Sequence, residues 1–335
     1  MIKTTSTILG LSLALSLTQV NSVIAADLLW DMPNEYPATS VQGRGDKTFS
    51  KLLKEKSGGQ IKISHHFGGA LGLKSKDQLD AVGDGIVQVA NTFIPPLGGV
   101  DPIFLLSSLP FLSSNADEAR KLFDAARNDY DRVLAKFNQR LLYSSPWPSS
   151  GIWGKEPLVS HNAVNNLKMR TYDANGTMVF RSMGSAPIQL SWADIVPQLS
   201  TGGISAVLTS IEAGLSSSFN DYVTHFTAIN YDSTINLVTI NRDVWDDLSP
   251  ELQAAVTDAA KETEDQLWGN ANEVIQRSYV EAERRGITIV SDVPEDFRKE
   301  MQEASTPVIE AWAEKMGPSG RKILSTYQDS INTSQ

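Results

Sequence analysis

The sequence predicts an α/β protein of two lobes, each a mixed sheet flanked by helices, with a long helix bridging them. Three observations point there. Strands and helices alternate at short pitch over residues 27–91 and again over 167–209, a Pro- and Trp-rich stretch separates the two runs, and an extended helical run follows them. In the first run, 27–32 reads as a strand and 38–55 as a helix with Phe49, Leu52 and Leu53 inward, ended by Gly58 and Gly59. Residues 60–66 alternate in strand fashion, 75–82 turn helical, and 87–91 form a short apolar strand before a Pro-Pro-Leu-Gly-Gly loop. In the second run, strands at 167–172, 188–191 and 204–209 alternate with helices at 176–183 and 193–199. Between them, 143–155 is dense in Ser, Pro and Trp, which is poor helix material and suits a crossing between lobes.

Ser249, Pro250 and Glu251 form a helix start: an N-cap Ser, Pro at the first helical position and an acidic residue favoured by the dipole. The run that follows meets only Gly269 before Gly286. It is either one helix of about 50 Å that bridges both lobes or two helices broken at Gly269. The chain is expected to divide into a first lobe of 26–149 plus 236–275 and a second of 150–235 plus 276–335.

Ahead of these, 1–25 has a signal-peptide profile. Lys3 precedes an apolar run at 8–20 too short to cross a bilayer as an ordinary helix, and small side chains lead up to Ala25, so the mature chain is expected to start at Ala26. The sequence contains no Cys, which excludes disulfides, thiol catalysis, Cys-ligated metals and a lipidated N-terminal Cys. A formal net charge of -10 argues against a nucleic-acid partner and against anionic lipid. Any anionic ligand must then be held by local charge.

No nucleophile elbow, His-Glu-x-x-His, P-loop or dinucleotide motif is present, and no cofactor is implied. His65, His66, His161 and His225 do not form a metal set, since the adjacent pair on a strand points to opposite faces. The informative segment is 167–210. On its first strand Lys168, Arg170 and Tyr172 share a face, with Arg170 near the carboxyl end, where ligands sit in open α/β sheets. An Arg there offers a planar two-donor fork to a carboxylate; the alternative is a structural ion pair or a surface charge. Asn34 and Glu35 follow the first strand and Asn91 the third, so each is a cleft contact or a turn and capping residue. Trp147, Trp153 and Tyr172 either line the cleft or pack at the crossing.

Asn166-Leu-Lys-Met-Arg170, Gly184-Ser-Ala-Pro187 and Ser200-Thr-Gly-Gly-Ile-Ser205 occur in this order, with Lys56 to Ile63, Ala70-Leu-Gly72, Ser107 to Leu112 and Asp243 to Pro250 around them. Together they resemble the substrate-binding subunits of tripartite ATP-independent periplasmic (TRAP) transporters over essentially the whole mature chain. The resemblance implies a two-lobed periplasmic binding protein, type II-like. It implies a monomer that closes on a small organic acid and delivers it to TRAP membrane subunits, with no catalytic residue. It makes Arg170 the carboxylate partner, Trp192 a pocket aromatic and Thr209 a polar contact. Two features depart from the family pattern. No second Arg stands about twenty residues before Arg170, where 149–154 reads Ser-Ser-Gly-Ile-Trp-Gly, and Ser205 and Thr209 replace the usual Asp and Asn. That favours a small monocarboxylate, unless Lys74 or Lys155 supplies a second positive group. A sensory receptor of the same fold and a secreted α/β hydrolase are the alternatives.

Overall fold

Two sheets carry the architecture of the computed structural model, which describes residues 28–333; the expected signal peptide and its cleavage site lie outside the described residues. The first is built from β1 (Leu28–Pro33), β2 (Ile61–His66), β3 (Val89–Phe93), β4 (Gln139–Pro146) and a late strand. β1 and β2 pair in parallel, and a single parallel bridge between Asn34 and Asn91 joins the end of β1 to β3. The second is built from β5 (Ser150–Gly154), β6 (Lys168–Thr171), β7 (Ala186–Gln189), β8 (Ala206–Ser210), β9 (His225–Thr227) and a strand near the C-terminus. The late strand of the first sheet is β10 (Ile235–Asn241), antiparallel between β3 and β4; the strand completing the second is β11 (Thr288–Val290), in the order β11-β9-β5-β8-β6-β7.

The chain passes between the sheets twice at one place. Residues 146–150 and 231–235 run side by side: Trp147 N–H donates to the Thr234 carbonyl at 2.9 Å, Ser150 N–H to Asp232 O at 2.8 Å and Tyr231 N–H to Ser150 O at 2.8 Å. The stretch 143–155, expected as the crossing, carries the end of β4, a short link and β5. Pro146 is tolerated at the very end of β4, where the ladder stops.

Local chemistry fixes the elements beside the cleft. Ser40 caps the helix Val41–Lys56 by accepting from Gly43 N–H, and Asp173 caps Ala174–Ser182 by accepting from Gly176 N–H. Gly184, at φ 79°, reverses the chain before β7; a Cβ there would sit 2.6 Å from Asn165 Oδ1.

The expected bridging run forms helices Pro250–Gly269 and Ala271–Arg284, abutting at Asn270. Val256, Ala259 and Ala260 pack with Phe49, Tyr143 and Val238 of the first sheet's core, while Val274 and Ala282 pack in the cluster holding Trp153 and Phe226. The C-terminal helix Glu295–Asn332, kinked at Gly317, does the same. Phe297, Met301 and Val308 join the second sheet's cluster, but Trp312, Ile323 and Tyr327 pack with Leu106 and Phe123 beside the first. The described residues of the stretch 276–335, expected wholly in the second lobe, thus contact both cores. No described helix is long and apolar enough to cross a membrane.

Candidate functional site

Arg170 sits on β6 between β7 and β8, in register with Ile188 and Val207, and is 2 % exposed. Two backbone carbonyls at the ends of neighbouring segments hold its guanidinium: Nε donates to Leu190 O and Nη1 to Leu208 O, both at 3.1 Å. Its Cζ lies over the rings of Tyr172 and Trp192, 5.3 and 5.8 Å from their centroids. Among the described residues no carboxylate comes within ion-pair distance of it. Burial lowers its pKa, with the Tyr36, Tyr172, Glu35 and Asp173 side chains working the other way. A buried cation without a protein counter-ion costs several kcal/mol, roughly, so an anionic ligand would gain what the fold forgoes.

The Arg170 side chain lines a small cavity, of about 10 Å³, between the two sheets. The first sheet's side supplies Tyr36, Phe93, Trp147 and Thr234; the second supplies Ser150, Arg170, Tyr172, Thr209, Ser210 and Ala213. Rings bracket it tightly, with centroid separations of 4.6 Å for Tyr36 and Trp147, 4.9 Å for Tyr36 and Trp192, and 5.5 Å for Phe93 and Tyr172. Arg170 is the one formal charge in the wall.

Some of the residues expected at the site stand around this centre and others lie away from it. Thr209 and Tyr172 line the wall, Tyr172 with its hydroxyl donated to Asp232. Trp192 lies over Arg170 but is itself packed between Tyr36 and Phe219, shaping the wall from behind. Glu35 spans the cleft: Oε2 accepts from Ser75 N–H and Oγ at 3.0 and 2.7 Å, and Oε1 from Ala193 N–H at 3.2 Å.

Asn34 and Asn91, expected as cleft contacts or as turn and capping residues, are not among the residues lining the cavity. Their amides donate to opposite oxygens of the buried Asp46 carboxylate, each at 2.6 Å. Asn34 Oδ1 then accepts from Tyr36 N–H, while Asn91 Oδ1 accepts from Asn236, whose own oxygen accepts from Trp147 Nε1 at 2.8 Å. Both hold wall aromatics in place instead of facing the cavity. Trp153, expected either to line the cleft or to pack at the crossing, is fully buried among Phe219 and Phe226 and donates Nε1 to Ser210 O at 3.1 Å. The sequence does not single out the lining residues Tyr36, Phe93, Ser150, Ser210, Ala213 and Thr234, although Tyr36 directly follows the strand-end pair Asn34 and Glu35 and Thr234 precedes a strand whose residues are all buried.

Burial raises the carboxyls nearest the cleft. Asp46, Glu212 and Asp232 are pushed up to about 7 and Asp173 to about 6, by desolvation that their hydrogen bonds offset only in part. Because these folded values exceed the unfolded ones near 4, folding takes up protons. Their stabilising contribution is full below the unfolded values and is lost as pH rises through about 7. The melting temperature is expected to fall between pH of about 5 and about 8; a profile that is flat or rises over that interval contradicts it.

Residues 33–315 match the family model for the bacterial extracellular solute-binding protein, family 7, and the chain belongs to that family. Among solved structures it is similar to a marine metagenome TRAP solute-binding protein specific for pyroglutamate, at 26 % identity and a TM-score of 0.86, covering 91 % of this chain and 99 % of that one. It is also similar to DctP7, a Bordetella pertussis extracytoplasmic solute receptor binding pyroglutamic acid, at 28 % identity and a TM-score of 0.86, over 90 % and 99 % of the chains. A curated relative is the C4-dicarboxylate-binding periplasmic protein DctP of Rhodobacter capsulatus, 22 % identical over 92 % of each chain.

Proposed function

We propose that this protein is the periplasmic receptor of a TRAP-type transporter, and that it captures a compact monocarboxylate whose acid group pairs with Arg170. One observation carries the reading: a buried guanidinium, held in place by two carbonyls and free of protein carboxylates, is, among the described residues, the one charged group lining a small aromatic-walled cavity between the sheets. A carboxylate there gains charge-assisted hydrogen bonds in a setting from which water is excluded. The remainder of the ligand meets rings and the hydroxyls of Tyr36, Thr209 and Thr234, which suit a neutral hydroxyl, keto or lactam group. A second carboxylate would be buried without a cation. Lys74 is engaged with Asp194 at 2.7 Å, and neither it nor Lys155 belongs to the cavity wall. The structural neighbours that bind pyroglutamate make that lactam acid the first candidate.

In this reading the sheets are two lobes hinged at 146–150 and 231–235, the receptor is a monomer exported after cleavage near Ala25, and the loaded form docks on the TRAP membrane subunits. A thermal-shift panel tests it, since a ligand that binds only the folded state raises its melting temperature. Pyroglutamate and other small hydroxy, keto or lactam monocarboxylates are expected to raise it, and C4-dicarboxylates to do so much less. A panel in which only dicarboxylates shift the protein would overturn the monocarboxylate assignment.

A further inference from the structure

The wall of the cavity continues directly into a contact that crosses the cleft. Thr209 and Ser210 end β8, Ser210 caps the short helix Ile211–Ser216, and Glu212 on its first turn reaches the opposite lobe. There Glu212 Oε1 accepts from Val41 N–H at 2.8 Å, the first residue of the 16-residue helix Val41–Lys56, and from Arg44 Nη2 at 3.2 Å. Ser40 already satisfies Gly43 N–H, so Glu212 supplies the acceptor that the helix itself lacks for Val41. The carboxylate and the helix residue that donates to it are buried, while Arg44 is half exposed beside the outer groove. Val41 is 5 % exposed and Glu212 6 %, and Glu212 Oε2 is buried with no hydrogen-bond partner.

The lining residues Tyr36, Trp147, Arg170 and Tyr172 are all less than 5 % exposed, so an acid enters only if the lobes part. Parting the lobes returns Glu212 and the Val41 N–H to water. We propose that Glu212 is a positioning residue for ligand retention: it touches no ligand, but by completing the N-terminal cap of the opposing helix it biases the receptor toward the closed form. Glu35, Lys74, Asp173 and Asn175 also reach across. Glu212 differs in that a backbone donor of a long helix and the carboxylate that serves it lie on different lobes, within two residues of the ligand wall.

This inference rests on the hinged-lobe reading above, and its test does not need the ligand's identity. The absence of native Cys lets spin labels be placed specifically, through Lys51→Cys on the first lobe and Arg181→Cys on the second, both exposed. In the ligand-free chain, electron–electron distance measurements report the ratio of open to closed forms. Glu212→Ala is expected to raise that ratio roughly five-fold or more, the usual effect of losing a helix cap. Val41→Pro should raise it as well, because Pro is well tolerated at the first helical position and removes the N–H that Glu212 accepts from, at the cost of changing a buried side chain. The double variant should match the single ones, and Glu212→Gln, which keeps an acceptor oxygen, should stay nearer the parent. Unchanged distances in Glu212→Ala, with or without a lower melting temperature, would overturn the proposal. So would an effect of Glu212→Ala that Val41→Pro does not share, or additive effects in the double variant. A chain that bound none of the acids tested would count against the proposed function while leaving these distances to decide the inference.

Discussion

Arg170→Ala is expected to abolish acid binding in titration calorimetry while the unliganded chain still folds. The carboxylate would lose its only charged partner in a buried site, a loss of about 2–5 kcal/mol or more when one member of such a pair is removed. The fold loses less, because Arg170 has no protein counter-ion to strand; only Leu190 O and Leu208 O lose a donor, about 1 kcal/mol each. Arg170→Lys should not restore binding. An ammonium cannot satisfy Leu190 O and Leu208 O and still present two parallel donors to the acid, and it lacks the planar group whose Cζ lies over Tyr172 and Trp192. Retained affinity in either variant would remove Arg170 from the centre of the site.

Asp46→Ala should have the largest effect on stability, together with a weaker site. Its carboxylate, fully buried, receives the Asn34 and Asn91 amides at 2.6 Å each. Truncation leaves two buried donors without acceptors, each costing about 1–3 kcal/mol. The effect reaches the cavity, because Asn34 positions the Tyr36 backbone and Asn91 acts through Asn236 on Trp147. Chemical denaturation should show a lowered midpoint with an unchanged slope. An unaltered midpoint would mean that the two amides find other partners.

How much of this was legible in the sequence depends on whether local pattern or distant pairing decides the matter. Arg170 was legible because a strand end in an α/β run places its side chain at the cleft, and the motif around it agrees. For Asn34 and Asn91 the same rule gave the place but not the direction. The bridge between them turns both amides onto Asp46, which approaches from the helix Val41–Lys56. Trp153 shows the cost of ignoring alternation. On β5, Ser150 faces the cavity, so Trp153 three residues on falls to the other face, where Gly214 leaves it room; a Cβ there would lie 2.4 Å from the indole. The helix Ala116–Ala135 was not read, although Leu122, Phe123, Ala126, Tyr130 and Val133 mark a helical face. β10 was beyond local reading, since a strand at 235–241 inserts between β3 and β4, whose residues lie about a hundred or more positions earlier.

The most direct test of the central claim is a crystal structure of the mature protein grown with pyroglutamate, or with the acid giving the largest thermal shift. The account predicts the carboxylate on the free edge of the Arg170 guanidinium, the rest of the molecule between Tyr36, Trp147 and Tyr172, and a neutral polar group facing the hydroxyls of Thr209 or Thr234. An acid found instead in the outer groove between Arg44 and Arg285, with Arg170 untouched, would contradict it.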